Sequence, residues 1–113
     1  MSDERVIKSL FDIARSAEEI ASFVEGMEFS EYASDVKTQR AVERGFEIIG
    51  EALNRIKREN PEILERVTAQ HEIIGFRNIL AHGYDQVDER IVWKAITLHL
   101  PKLKEDVEAL LTQ

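Results

Sequence analysis

From Arg77 to Tyr84 the chain reads Arg-Asn-Ile-Leu-Ala-His-Gly-Tyr, four polar, chemistry-bearing side chains within eight positions of an otherwise apolar segment. A helix built only to bury one face needs none of them on its inner side. Asn78 and His82 are four residues apart and so neighbours on one helical face. Asn78 can therefore hold one ring nitrogen of His82 and set its tautomer. Arg77 and His82 are five apart, ~140° around a helix of 3.6 residues per turn, and a long guanidinium can curl toward the helix end. Gly83 is placed to stop the helix. That puts His82 in the last turn, beside the negative end of the helix dipole, where imidazolium is favoured. Tyr84 then leaves the helix with its hydroxyl free. The set suits phosphoryl transfer on RNA without a metal: a 2′-hydroxyl attacks the adjacent phosphorus, His82 handles a proton and Arg77 meets the developing charge. One histidine per motif leaves the second proton-handling role to another group, to water, or to His82 of a second copy.

Each residue also has a plainer use. Arg77 can be an ordinary ion-pairing residue, His82 a helix-terminal group that only meets the dipole, Asn78 a structural hydrogen-bonder and Tyr84 a half-buried loop tether. His71 and His99 read as surface or core-edge residues, and the three histidines show no metal-ligand spacing. Glu51 reads as a partner of Arg55 one turn on, Trp93 as core or dimer packing, and Lys57-Arg58 as a solvated helix end or a weak phosphate contact.

The elements that must position the motif are helices. From Asp3 to Glu25, apolar residues recur at helical spacing (Val6, Leu10, Ile13, Ala17, Ile20, Val24), with acids at the start and Gly26 as a stop. Residues 27–34 read as a connection with at most a short turn. A second helix is predicted from about Val36 to Glu59, capped by Ser34 or Asp35 and buried through Val42, Phe46, Ile49, Leu53 and Ile56. Arg44, Glu47, Glu51 and Arg55 read as its solvated, ion-paired face. Gly45 and Gly50 each cost ~1 kcal/mol against alanine in a helix interior, so they call for a close helix–helix approach, within the chain or across a dimer. Asn60-Pro61-Glu62 starts a short third helix. A fourth runs from about Glu72 to Ala81 or His82. Asp88 caps a fifth, carrying Ile91, Val92, Ala95, Ile96 and Leu98. Pro101 predicts a kink or break, followed by a last helix through Leu103, Val107, Leu110 and Leu111.

Composition narrows the function classes. The 113 residues make one domain, 1–113, with no internal repeat or boundary. Cysteine is absent, which removes disulfides, thiolate catalysis and Cys-ligated zinc. Two prolines and five glycines leave little turn material, against a sandwich or barrel. No apolar run approaches the ~18 residues of a membrane span, and the charged start MSDERVIKSL carries no signal-peptide core, so a cytoplasmic protein is expected. The net charge of −7 argues against a broad nucleic-acid coat, yet it is uneven: residues 1–35 carry −6 and residues 36–66 carry +1. An anionic ligand is therefore expected to avoid the N-terminal third and approach the middle of the chain.

The Arg-x4-His-x-Tyr spacing of Arg77, His82 and Tyr84 resembles the motif of the HEPN superfamily in its HepT-like toxins. The flanks Glu72-Ile73-Ile74-Gly75-Phe76, Ile91-Val92-Trp93 and Phe46-Glu47-Ile48-Ile49-Gly50-Glu51-Ala52 match as well. The resemblance covers nearly the whole chain. It implies an all-α, up-and-down bundle of about five helices that forms a homodimer, with the two motifs facing across a cleft as a metal-independent endoribonuclease that uses no cofactor. It implies Arg77 and His82 as the catalytic pair, with Asn78 as the polar residue beside the arginine. It further implies a minimal nucleotidyltransferase antitoxin as partner, able to transfer AMP to Tyr84. The alternatives from the residues themselves are a non-catalytic helical module that binds a nucleotidyltransferase or a nucleotide, and a purely structural dimerisation domain.

Overall fold

Asp3 opens the first helix by accepting a hydrogen bond from the Arg5 amide at 2.9 Å. The computed structural model describes residues 3–81 and 87–113, so His82 and Tyr84 lie outside it. Helix α1 spans Glu4–Phe23 and ends before Gly26, which takes φ 77°, a conformation that costs glycine nothing. The predicted connection contains a short helix, α2, Phe29–Ala33, closed by a capping box between Glu28 and Glu31. Helix α3 spans Val36–Glu59 and is capped by Asp35 through the Thr38 amide. Its 24 residues, about 36 Å at 1.5 Å per residue, set the 44 Å long axis of the molecule. Asn60 caps α4, Pro61–Leu64, and α5 follows over Gln70–Ala81.

The last expected break is absent. Helix α6, Glu89–Lys94, continues through a π-helical turn, Ala95–His99, into α7, Leu100–Leu111. A regular α-turn would drive the Pro101 ring against the carbonyl four residues back. The wide turn, with the Leu100 amide bonded to the Ala95 carbonyl, takes up the misfit without breaking the helix. Leu98, expected in the core, is 60% exposed, and Ile91, seven residues before it, is 51% exposed. Both lie off the buried line of Val92, Ala95, Ile96, Leu100 and Leu103.

The architecture is an all-α bundle. Helix α3 packs on α1 and α5, and α1 also packs on α7. Val6, Leu10, Ile13, Val42, Phe46, Ile49, Leu53, Ile73 and Leu103 are fully buried between them, each contributing about 1.5–3 kcal/mol by leaving water. Among the described residues, no helix is long and apolar enough to cross a membrane. Both glycines of α3 are accounted for within the chain, while Gly75 of α5 faces open space. A Cβ on Gly45 would stand 2.7 Å from Cγ1 and 2.8 Å from Cδ1 of Ile20, and one on Gly50 would overlap the stem of Arg77. Neither glycine therefore points to a second subunit.

Trp93 packs against Phe29 and Tyr32 with ring centroids 6.1 and 5.3 Å away, as packing and not as an open stacking platform. Beneath it, the Tyr32 hydroxyl, Glu43 Oε2 and Glu89 Oε1 are buried without a hydrogen-bond partner among the described residues. Burial first, then the nearby Glu89 carboxyl, push the Glu43 carboxyl above the ordinary glutamate range, while Arg40 at 3.2 Å opposes them. Arg40 is mostly exposed, so its pairing is worth little. Burial and then Glu89 also push the Tyr32 phenol up, and it stays neutral. Because the folded protein holds the Glu43 proton more tightly than the unfolded chain, this stability is complete below the ordinary glutamate pKa. It is lost as pH rises through the folded value. Glu43→Gln is expected to melt higher than wild type at pH 8 and to flatten the fall in Tm between about pH 4 and pH 8. Parallel Tm–pH curves for the two proteins would show that Glu43 carries no such linkage.

Candidate active site

Four residues before Gly50 on α3, Phe46 meets Phe76 of α5 edge-on, with centroids 5.1 Å apart and planes at 76°. This contact and the missing Cβ of Gly50 bring α5 close to α3 at the next residue, Arg77. The Arg77 stem lies flat on Gly50: an added Cβ would overlap Arg77 Cβ and Cγ and stand 3.2 Å from Cδ. The guanidinium is thereby held on a packed stem with its head at the surface, and the side chain is 26% exposed. Its Nη2 lies 3.8 Å from Glu51 Oε1, beyond hydrogen-bond range. Its Nε is buried with no hydrogen-bond partner among the described residues. Glu51 is also 3.8 Å from Arg44 Nη1.

Arg77, Glu51, Asn54, Arg55 and Arg58 surround a polar, open cleft of ≈ 380 Å³. Three cations against one acid form an arrangement that can receive a phosphate or another oxyanion, which arginine can grip with two parallel N–H bonds. Asn78 is exposed on the next position of α5 and makes no side-chain hydrogen bond among the described residues. The expected Asn78–His82 pairing and the placement of Tyr84 involve His82 and Tyr84, which lie outside the described residues.

The face of α3 predicted as self-paired and solvated is used differently. Glu51 turns to Arg44 and Arg77, not to Arg55. Arg55 instead crosses to α1, donating from Nε to Ser9 Oγ at 3.2 Å and from Nη2 to Asp12 at 3.1 Å. The i,i+4 spacing permitted a Glu51–Arg55 pair; a better-buried partner on each neighbouring helix took both. Sequence reasoning therefore missed Glu51 as the acid beside Arg77 and Asn54 as a wall of the same cleft, and gave Arg58 a weak phosphate contact only as the alternative to a solvated helix end. The one available signal was Gly50, whose cost in a helix interior marked a close approach.

The fold and cleft define an all-helical protein that presents a packed-stem arginine to an anion-sized site. Comparison with known proteins gives that class its family. Residues 13–110 match the family described as "Ribonuclease HepT-like". The chain is 35% identical over 108 residues to a Methanocaldococcus jannaschii protein named "Putative RNase MJ1380", covering 96% of this chain and 98% of that one. It is 41% identical over 105 residues to the Thermococcus cleftensis protein named "Probable ribonuclease HepT", covering 89% and 91%. A second M. jannaschii protein, "Putative RNase MJ1216", is 31% identical over 109 residues, covering 96% and 89%. No solved structure matches the chain. The chain belongs to the HepT-like ribonuclease family, and its enzyme class is that of a ribonuclease.

Proposed function

We propose that this chain is a toxin-type endoribonuclease whose site is completed in a homodimer, with Arg77 and His82 as the catalytic pair and Asn78 orienting the imidazole. The observation that carries this reading is the seating of Arg77 on Gly50 beside a cleft lined by three arginines and one acid. In the reaction, the 2′-oxygen forms a bond to phosphorus and loses its proton to a base. The bond from phosphorus to the 5′-oxygen breaks, and that oxygen takes up a proton. His82 serves one proton transfer, His82 of the second copy or water the other, and Arg77 balances the charge that builds on the phosphoryl oxygens. The step needs no metal, so the purified protein is expected to cleave a mixed tRNA and mRNA pool in excess EDTA.

A dimer is supported by the exposed apolar side chains of Ile79, at 42%, and Ile91, at 51%, which line one shallow hollow beside the motif. Light scattering is expected to give twice the chain mass of 13.0 kDa. RNA left intact in EDTA and in Mg²⁺ alike, or a monomer at micromolar concentration, would remove the composite-site reading and leave the non-catalytic partner module.

The same reading assigns Tyr84 as the target of a minimal nucleotidyltransferase antitoxin. The phenolic oxygen attacks the α-phosphorus of ATP, pyrophosphate leaves, and the phenolic proton passes to solvent or base. Tyr84 is two residues from His82, so the attached AMP places an anion and a nucleotide's bulk where substrate phosphate must approach. Intact mass spectrometry is expected to show added AMP on wild type and none on Tyr84→Phe, with cleavage lost in the modified protein.

A further inference from the structure

Arg55 and Arg58 wall the Arg77 cleft on one side, and the same two side chains line a second concavity, of ≈ 390 Å³, reaching Arg5 and Lys8 on α1. The two hollows thus lie side by side across the α3–α1 surface, as a track divided only by the Arg55 and Arg58 side chains. Of the ten residues around it, five are cationic and three acidic, while the chain as a whole carries −7. The acids are already engaged. Asp12 lies 3.1 Å from both Lys8 and Arg55, Glu59 lies 3.6 Å from Arg5, and Glu51 is shared by Arg44 and Arg77. Arg58 has no acid within 4.0 Å among the described residues. Arg55, bonded to Ser9 and Asp12, ties α1 to α3 and so holds Lys8 and Arg5 in line with Arg58.

The N-terminal segment is acidic as a whole, yet two of the three cations of α1, Arg5 and Lys8, lie on this side. Along α3 alone, Glu51 to Arg58 covers about 10 Å at 1.5 Å per residue, longer than a single phosphate needs. The hollow reaching Arg5 and Lys8 adjoins, across Arg55 and Arg58, the cleft that, on the ribonuclease reading, holds the scissile phosphodiester. A strand held in the cleft is therefore placed to reach that hollow by passing over these two arginines. We infer that Arg58, Arg55, Lys8 and Arg5 bind the phosphates flanking the cleavage point, so that the protein takes an RNA strand of several nucleotides along one path in an otherwise acidic surface. This inference rests on the proposed ribonuclease function for its substrate class. An acidic protein is the competing occupant.

The test uses an RNA 12-mer methylated at every 2′-oxygen, which cannot be cleaved, and follows binding by fluorescence anisotropy over a range of salt. Arg58→Gln and Lys8→Gln are each expected to raise Kd several-fold and to reduce the salt slope by about 0.7, the single-strand value per phosphate contact. Lys8→Gln leaves Asp12 paired with Arg55, and both variants are expected to keep the wild-type circular dichroism. Lys37→Gln, an exposed lysine at the start of α3, removes the same charge away from the track and is expected to bind as wild type. Wild-type Kd and slope in both track variants would overturn the inference, as would an equal loss in Lys37→Gln. So would loss of a bound acidic protein from Arg58→Gln with RNA affinity unchanged. Track-dependent binding by a wild type that cleaves no unmodified RNA supports the track and refutes only the ribonuclease reading.

Discussion

Arg77→Ala is expected to lower RNA cleavage by about 10²–10³-fold, the usual loss when a donor aimed at developing charge is removed. The α-helical circular dichroism should be kept. The stem of Arg77 fills the space over Gly50, so the truncation also loses packing and lowers Tm by a few degrees. That drop is too small to unfold the protein at 25 °C. Arg77→Lys separates charge from geometry. It restores a cation but not the two parallel donors, and most of the loss is expected to remain. His82→Ala should fall as far as Arg77→Ala. The double variant should fall little further, because residues that act as one unit do not add. Cleavage by Arg77→Ala at more than a third of the wild-type rate would defeat the site.

Gly50→Ala is the second large expectation, and helix propensity alone gives it the wrong sign. In an open helix interior, alanine gains ~1 kcal/mol over glycine. Here the new Cβ overlaps Cβ and Cγ of Arg77; turning χ1 could move Cγ, but Cβ is fixed to the α5 backbone and cannot swing away as a side-chain tip can. Helix α5 must shift, at about 1–3 kcal/mol of overpacking, and Arg77 moves with it. Because a displacement of about 1 Å at a positioned group can cost about 10²-fold, cleavage is expected to fall by roughly that factor, with Tm lowered. Gly45→Ala is the control. It meets the Cγ1 and Cδ1 atoms of Ile20 on α1, away from the cleft, and is expected to lower Tm while leaving cleavage near wild type. Equal activity in the two glycine variants would show that the Arg77 seat is not what Gly50 provides.

Much of this protein was determined by local sequence. Period-3.6 apolar stripes in residues 3–25 and 36–59 specify long amphipathic helices. Caps at Asp3, Asp35, Asn60 and Asp88 specify where helices begin, because a side-chain oxygen and its backbone partner lie within a few residues of each other. The Arg77–Tyr84 motif and its flanks were likewise legible as a family resemblance, since they are a matter of residue type and spacing. What could not be read was every choice between partners at similar spacing. Glu51 had Arg55 within one turn and took Arg77 and Arg44 instead, while Arg55 left its own helix for Ser9 and Asp12. Pro101 predicted a kink or break, and the helix instead runs unbroken through a π-helical turn, with Ile96, Leu100 and Leu103 buried on either side of the misfit. Gly50 announced a close approach without saying to what. Only the docking of α5 on α3 supplied Arg77 as the answer. The acidic total charge concealed a cationic track, since net charge is a sum over the chain, whereas a ligand meets the few side chains that three helices bring to one surface.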